Sequence, residues 1–177
     1  MHEALPELLD YPDDELLARR GPIAARAPGR LGPFVTWWAA ADGRLLRERY
    51  VADFDLASRT SLYLTYHRFG DRRERGRALV ALKRLYREAG WELEHWELPD
   101  YLPLVLEFAA VEPDAGRELL AGFRTELETI RRGLADRGSP WEAVLAYVLS
   151  GLPPADDDAV KRLLAEGPPT ELVGVER

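Results

Sequence analysis

The sequence predicts an all-α fold, a single-domain helical bundle of about seven to nine helices. Apolar residues recur at helical spacing along most of the chain, and no apolar–polar alternation is long enough to indicate a β-sheet. Glycine and proline interrupt this pattern at intervals that suit interhelical connections. With 177 residues, of which 46% are hydrophobic, the chain can bury one substantial core. We expect one domain over residues 1–165 and a flexible carboxyl-terminal tail over residues 166–177.

Composition and charge narrow the classes of function. The chain contains no cysteine, which excludes disulfides, thiolate catalysis and cysteine-ligated metals. The net charge of −7 favours a basic partner over nucleic acid. No apolar run reaches the roughly 18 residues that span a bilayer, and the acidic, amphipathic amino-terminal segment lacks the features of an export signal. We therefore expect a cytoplasmic protein that does not insert directly into the membrane.

Enzymatic activity and a metal site are not expected. The histidines of the chain do not have metal-ligand spacing; they are His2, His67 and His95. The sequence also has no Gly-rich phosphate loop and no recognisable nucleophile motif.

The amino-terminal third predicts short helices around one loop. The segment "ALPELLDY" carries a short apolar stripe, and Pro12 suits the first position of the helix that follows. Residues 21–33 are rich in glycine and proline and predict a loop. A helix over residues 34–41 follows, and residues 44–52 continue with a helical stripe.

Two helices are predicted in the middle of the chain. Asp55 suits the N-cap of a helix over residues 56–68, and Gly70 suits its end. Asp71 opens a second helix with a capping-box-like pattern, and Gly90 marks where that helix stops.

The carboxyl-terminal half predicts three further helices. Residues 113–138 form one long amphipathic pattern. Ser139 suits the N-cap of the next helix, and a final short helical segment follows residue 151.

The stretch "ELPDYLPLVLEFAA" predicts a helix over residues 101–111 that is apolar on nearly every side. Asp100 is a candidate N-cap, and the flanking prolines cost no intrahelical hydrogen bond at the helix start. One interpretation is a central core helix. The other is a helix with one side lining a groove for a partner helix, where Glu97, Asp100 and Glu107 form an acidic rim. The residues alone leave both interpretations open.

Four segments occur in a fixed order and resemble a known family: "YVADFD", "SLYLTYHRFGDRRERGRAL", "LYREAG" and "ELPDYLPLVLEF". Together they are similar to the core of the NarJ-type respiratory nitrate reductase assembly chaperones, a branch of the TorD/DmsD-like redox enzyme maturation proteins. The resemblance covers residues 49–110, and the early segment "LLDYPDDEL" also resembles the start of this family. It implies an all-helical, TorD-like fold.

The resemblance also implies a function. The protein would be a dedicated cytoplasmic chaperone, without catalytic activity, for the molybdenum-containing catalytic subunit of nitrate reductase. It would bind the amphipathic N-terminal segment of that subunit until the bis-molybdopterin guanine dinucleotide cofactor is inserted, and would delay docking on the membrane subunit. The chaperone itself would hold no cofactor stably. Proteins of molybdenum cofactor biosynthesis are further partners that this role allows.

The resemblance places the proline–acid element of related chaperones, which is tied to signal-peptide binding, on Glu97, Pro99, Asp100 and Tyr101. A basic amphipathic peptide needs an apolar floor beside these acids. The resulting peptide-binding set consists of Tyr50, Phe54, Asp55, Arg59, Leu62, Tyr63, Tyr66, Glu97, Pro99, Asp100, Tyr101, Leu102, Leu106 and Glu107. Arg59 is also a candidate ion-pair partner of Asp53 or Asp55.

Alternative functions come from different classes. The nearest is a chaperone that proofreads the signal peptide of another molybdoenzyme, and the next is a helical scaffold that binds some other peptide. A nucleic-acid-binding role would use the basic helix face within residues 72–87, which the net charge opposes. That face is otherwise a solvated surface, or a dock for an acidic patch on the reductase or an anionic cofactor precursor.

Overall fold

The computed structural model describes residues 1–93 and 97–169, and it confirms the all-α fold class. These residues form twelve α-helices, more than the predicted seven to nine. The helices are α1 Leu5–Leu9, α2 Asp14–Ala18, α3 Arg20–Arg26, α4 Gly32–Ala40, α5 Gly43–Tyr50, α6 Leu64–Phe69, α7 Arg73–Glu88, α8 Leu102–Val111, α9 Pro113–Gly122, α10 Arg124–Asp136, α11 Glu142–Leu149 and α12 Asp157–Glu166. No helix in the described part of the chain has the length and apolar character needed to cross a bilayer.

The predicted loop over residues 21–33 is wrong, because α3, a 3₁₀ turn at Gly29–Leu31 and the start of α4 together occupy most of it. Pro22 lies in the first turn of α3, where a missing N–H group costs no intrahelical hydrogen bond. Pro12 also does not begin α2. Asp13 caps that helix instead, since its carboxylate accepts a hydrogen bond from the Leu16 N–H at 2.8 Å.

The predicted helix over residues 56–68 is mostly absent. After α5 the chain forms a π-helical turn at Val51–Asp55 and a 3₁₀ turn at Ser58–Thr60, and α6 begins only at Leu64. Asp55 is therefore not an N-cap. The buried Asp53 fixes this irregular path, because its carboxylate pairs with Arg49 at 2.7 Å and its carbonyl accepts the Thr60 hydroxyl. Gly70 ends α6 as predicted, with a φ of 56° that favours glycine.

The predicted single helix over residues 113–138 is two helices, α9 and α10. The break lies at Phe123, whose φ and ψ of −106° and 19° are not helical. Phe123 is buried, and the Arg68 guanidinium lies 5.1 Å above its ring while donating to the Gly122 carbonyl at 2.9 Å. These contacts satisfy the hydrogen-bonding capacity of the carbonyl at the end of α9 and allow the chain to change direction.

Helix α8 lies at the centre of the core, in agreement with the first of the two interpretations of its sequence. It packs against α1 on one side and α9 on the other. Gly116 of α9 permits the close approach, because a Cβ atom at this position would collide with Ala109 of α8. A second part of the core surrounds Trp141, whose indole N–H donates to the Leu8 carbonyl at 2.9 Å.

Two sequence predictions lie partly or wholly outside the described residues. His95 is not described, and neither are the last eight positions of the predicted tail, residues 170–177. The flexible tail stays a prediction; α12 ends at Glu166.

Candidate functional site

The proline–acid element is held against the start of α6 by a short backbone bridge. The Leu64 N–H donates to the Asp100 carbonyl, and the Leu102 N–H donates to the Leu62 carbonyl, both at 2.9 Å. Between them, Tyr63 and Tyr101 form an isolated antiparallel β-bridge, and their ring centroids lie 5.3 Å apart. The bridge fixes where the two tyrosine rings stand at the surface.

Asp100 caps α6 and not α8. Its side chain is fully buried, and its Oδ2 atom accepts hydrogen bonds from the Thr65 N–H at 3.1 Å and from the Thr65 hydroxyl. This is the bond that an N-cap side chain makes to the second residue of a helix, supplied here by a residue 35 positions away. The predicted cap of α8 is wrong, because Tyr101 takes the N-cap position there without a side-chain bond.

Arg75 completes the same network from α7. Its guanidinium lies 3.4 Å from Asp100 Oδ2 and donates to the Thr65 hydroxyl at 3.2 Å. It also lies over the rings of Tyr63 and Tyr66, at 5.9 and 5.7 Å from their centroids. The sequence assigned Arg75 to a basic outer face, whereas the structure turns it inward beneath the tyrosines.

A small cleft, here named the aromatic cleft, opens beside this bridge. Its volume is about 190 Å³, and its walls are Tyr11, Tyr50, Phe54, Asp55, Ser61, Leu62, Tyr63 and Tyr101. The Tyr50 hydroxyl donates to the Leu9 carbonyl at 3.0 Å and lies 2.9 Å from the Tyr101 hydroxyl. Burial raises the pKa of both phenols above the usual tyrosine range, so they stay protonated even in moderately alkaline solution.

A second cleft, here named the acidic cleft, adjoins the first and shares Tyr101 with it. Its volume is about 330 Å³, and its walls are Glu3, Pro6, Glu7, Asp10, Arg19, Glu97, Tyr101, Pro103, Leu104 and Glu107. Arg19 and Arg26 pair with Glu7 at 2.6 and 2.7 Å, which neutralises one side.

Part of the acidic cleft keeps uncompensated negative charge. Glu107 and Asp10 form no ion pair with any described residue; Asp10 accepts a hydrogen bond from the Tyr101 hydroxyl at 3.1 Å. Burial, followed by the charges of Glu97, Asp10 and Glu7, raises the pKa of Glu107. A cation that entered the cleft would relieve this repulsion.

The structure brings together about half of the predicted peptide-binding set. Six members line the aromatic cleft: Tyr50, Phe54, Asp55, Leu62, Tyr63 and Tyr101. Glu97 and Glu107 join Tyr101 in the acidic cleft. These residues derive from the π-helical turn, the start of α6 and the region around α8, which the backbone bridge connects.

The remaining members lie elsewhere. Leu102 and Leu106 are fully buried in the core, and Pro99 and Asp100 are buried behind the bridge. They therefore form no open groove floor in this conformation. Tyr66 is half-buried beneath Arg75.

Arg59 also lies apart from both clefts. It is exposed, lines a separate cavity and donates to the Ala165 carbonyl at 3.4 Å. It does not pair with Asp53, which is bound instead by Arg49 and Arg137.

The predicted set missed residues of α1 and of the segments just before and after it. Glu3, Glu7 and Asp10 supply three of the five described acids of the acidic cleft, and Tyr11 forms a wall of the aromatic cleft. The sequence carried a signal, because spacings of four and three residues would place these acids on one face of a helix, although in the structure α1 contains only Glu7. Among the described residues, no cluster of three or more histidine and carboxylate side chains could hold a metal ion.

Comparison with known proteins identifies relatives. The family described as "Nitrate reductase delta subunit" matches residues 23–146. The chain is 39% identical over 146 residues to the nitrate reductase-like protein NarX of Mycobacterium tuberculosis H37Rv, covering 80% of this chain but only 22% of that protein. It is 34% identical over 158 residues to the "Probable nitrate reductase molybdenum cofactor assembly chaperone NarJ" of Bacillus subtilis, covering 84% of this chain and 86% of that protein.

A solved structure supports the fold. A protein described as a redox enzyme maturation protein from Archaeoglobus fulgidus superimposes with a TM-score of 0.63, covering 84% of this chain and 90% of that one, at 21% identity. At that identity the likeness concerns the fold alone. Because the family match extends over most of the sequence and the Bacillus relative aligns along most of both chains, this chain belongs to the nitrate reductase delta subunit family.

Proposed function

We propose that this protein is a chaperone for the assembly of nitrate reductase and that it binds the N-terminal segment of the molybdenum-containing catalytic subunit. Relatives named as nitrate reductase molybdenum cofactor assembly chaperones support the role. The segment it binds would be a short, basic amphipathic helix.

The paired clefts support this choice of ligand. Tyr101 is a wall of both clefts, so one peptide can place an apolar side chain against the tyrosines and a basic side chain among the acids. Apolar floor and charged edge are the combination that helix-in-groove binding uses. Asp10 and Glu107, which pair with no described cation, are the acids that a basic side chain would meet.

The two clefts contribute differently to binding. Burial of one leucine-sized side chain is worth about 1.5–3 kcal/mol, whereas an exposed charge pair is worth at most about 1 kcal/mol. The aromatic cleft therefore supplies most of the affinity. The acidic cleft sets the orientation of the peptide, the association rate and the preference for basic partners.

By binding this N-terminal segment, the chaperone would control when the catalytic subunit matures and assembles. The catalytic subunit stays accessible for insertion of bis-molybdopterin guanine dinucleotide and does not dock on the membrane subunit before then. The chaperone acts in the cytoplasm, holds no cofactor stably and catalyses no reaction. Cofactor biosynthesis proteins are additional partners in this scheme.

Calorimetric titration tests the proposal. The full chain is titrated with a synthetic peptide of the cognate catalytic subunit's N-terminal segment, and with a scrambled peptide of the same composition. We expect micromolar or tighter binding for the native order alone. Absence of binding at any pH would contradict peptide capture. Equal binding of another molybdoenzyme's signal peptide would favour general proofreading over a dedicated role.

A further inference from the structure

A third cavity shares no lining residue with either cleft. It has a volume of about 430 Å³, and its lining includes Arg30, Ala109, Arg117, Tyr147, Val148 and Leu152. It neighbours the acidic cleft along the chain, because His2 of the cavity precedes Glu3 of the cleft and Ala109 follows Glu107 by two positions on α8. The two openings are therefore adjacent but are built from different residues.

The charged side chains of this cavity carry one sign. Arg30 and Arg117 line it, and none of the aspartates and glutamates in the described part of the chain does so. Neither arginine forms an ion pair or a hydrogen bond with any residue that the structure describes. Arg131, by contrast, pairs with Glu128 at 2.8 Å and with Glu142 at 2.6 Å. Two unpaired guanidinium groups at one cavity are conspicuous in a chain with net charge −7.

Groups beside the two arginines add hydrogen-bond donors and an apolar wall to the cavity. The amino end of α9 begins at Pro113 without a side-chain cap, so its first N–H groups lack intrahelical partners. The Tyr147 hydroxyl has no hydrogen-bond partner among the described residues, and its half-buried ring stands beside Val148 and Leu152. The carboxyl end of α11 also lies here and favours cations, yet neither arginine donates to its carbonyls.

We propose that this cavity binds a small organic anion that carries a phosphate or carboxylate group. Guanidinium groups bind both oxyanions through paired, charge-assisted hydrogen bonds, and here Arg30 and Arg117 would supply them. The remainder of the ligand would pack on Tyr147 and Leu152. The volume of the cavity falls within the range of about 300–1,000 Å³ that is common for small-molecule sites.

Titration of the full chain with pyrophosphate and with citrate tests this proposal and separates the two oxyanions. We expect saturable binding of at least one of them. Because a hydrogen bond to a charged group is worth about 1.5–3 kcal/mol, Arg30→Ala and Arg117→Ala should each weaken that binding about tenfold or more. Both side chains are exposed, so the variants should fold, which circular dichroism verifies.

Arg73→Ala and Arg162→Ala are the matched controls, since these exposed arginines have no ion-pair partner among the described residues and line no described cavity. They should leave the anion affinity unchanged. The proposal is overturned if neither anion binds saturably, or if the control variants lower the affinity as much as the cavity variants do. The outcome is independent of peptide capture, because Arg30 and Arg117 line neither of the two clefts.

Discussion

The substitution Asp100→Ala tests whether the Asp100 carboxylate stabilises the fold or contacts the bound peptide. The substitution removes the acceptor of the Thr65 N–H at 3.1 Å and of its hydroxyl, and leaves Arg75 without its carboxylate. Loss of an N-cap costs about 0.5–2 kcal/mol, and a buried donor left unsatisfied costs about 1–3 kcal/mol. Because these contributions overlap at Thr65, we expect the free energy of unfolding to fall by about 2–4 kcal/mol.

The assay combines urea denaturation of the full chain with calorimetric titration of the peptide. Asp100→Asn keeps an acceptor for the Thr65 N–H and loses only the charge near Arg75, so its loss of stability should be roughly half as large. Asp136→Ala is the control, because this exposed carboxylate has no described cationic partner; the change should stay within about 0.5 kcal/mol. Unchanged stability of Asp100→Ala together with lost peptide binding would refute the structural role.

Three further predictions concern the core, the aromatic cleft and the acidic cleft. Leu106→Ala should lower the free energy of unfolding by about 2–5 kcal/mol because this side chain is 0% exposed. The control Leu45→Ala, at a position that is 55% exposed, should change the free energy of unfolding little. A peptide-binding defect of Leu106→Ala without a stability loss would contradict the core assignment. Tyr63→Ala should weaken peptide binding about tenfold in calorimetry, since it removes a side chain of the aromatic cleft that is 37% exposed. The control Tyr147→Ala, which lies outside both clefts, should leave the peptide affinity unchanged. If Tyr63→Ala binds the peptide as tightly as the unmodified protein, the aromatic cleft is not part of the binding site. Burial and neighbouring acids raise the pKa of Glu107, and a bound cation would lower it, so peptide affinity should increase as the pH rises through the usual glutamate range and just above it. Glu107→Gln should flatten that dependence in titrations at several pH values, and an unchanged profile would exclude Glu107 as its source.

Apolar periodicity predicted the fold class and the existence of helix α8, because both depend on residues close together in the sequence. Residues 102–109 are apolar at nearly every position, and a helix of this composition is buried wherever the chain folds around it. The same periodicity runs through residues 113–138 without interruption, yet the helix breaks at Phe123. Contacts from Arg68, more than fifty positions earlier, stabilise the break, and local pattern carries no information about them.

Helix caps were predicted less well for the same reason. Asp55 and Asp100 each precede a helical pattern and are suitable N-cap residues by type. In the structure Asp55 caps no described helix, and the Asp100 carboxylate accepts a hydrogen bond from the Thr65 N–H at the start of α6. A carboxylate can satisfy an N–H group of any helix end that tertiary packing brings near, so residue type indicated that a cap was available but not which helix it would cap.

The candidate site was predicted in part because its two halves come from distant segments. Tyr63 and Tyr101 were both in the predicted set, and the backbone bridge that joins them is a tertiary contact. The acids in and around α1 were missed, since nothing local shows that α1 packs beside α8. The apolar floor was assigned to Leu102 and Leu106 because they are apolar, but both are buried in the core. Tyr63 is exposed instead, and Tyr101, directly before Leu102, is half-buried at the wall of both clefts.

Asp100 and Tyr101 occupy one turn but face opposite environments. Asp100 is buried and holds α6 and α7 together through Thr65 and Arg75, while the Tyr101 ring is the wall that the two clefts share. A substitution at Asp100 would therefore displace the Tyr63–Tyr101 bridge and weaken peptide binding without any contact between Asp100 and the peptide. Salt dependence distinguishes the two cases. If the Asp100 charge met the peptide directly, Asp100→Asn would reduce the dependence of affinity on ionic strength; if Asp100 acts through the bridge, affinity falls at every salt concentration with the same slope.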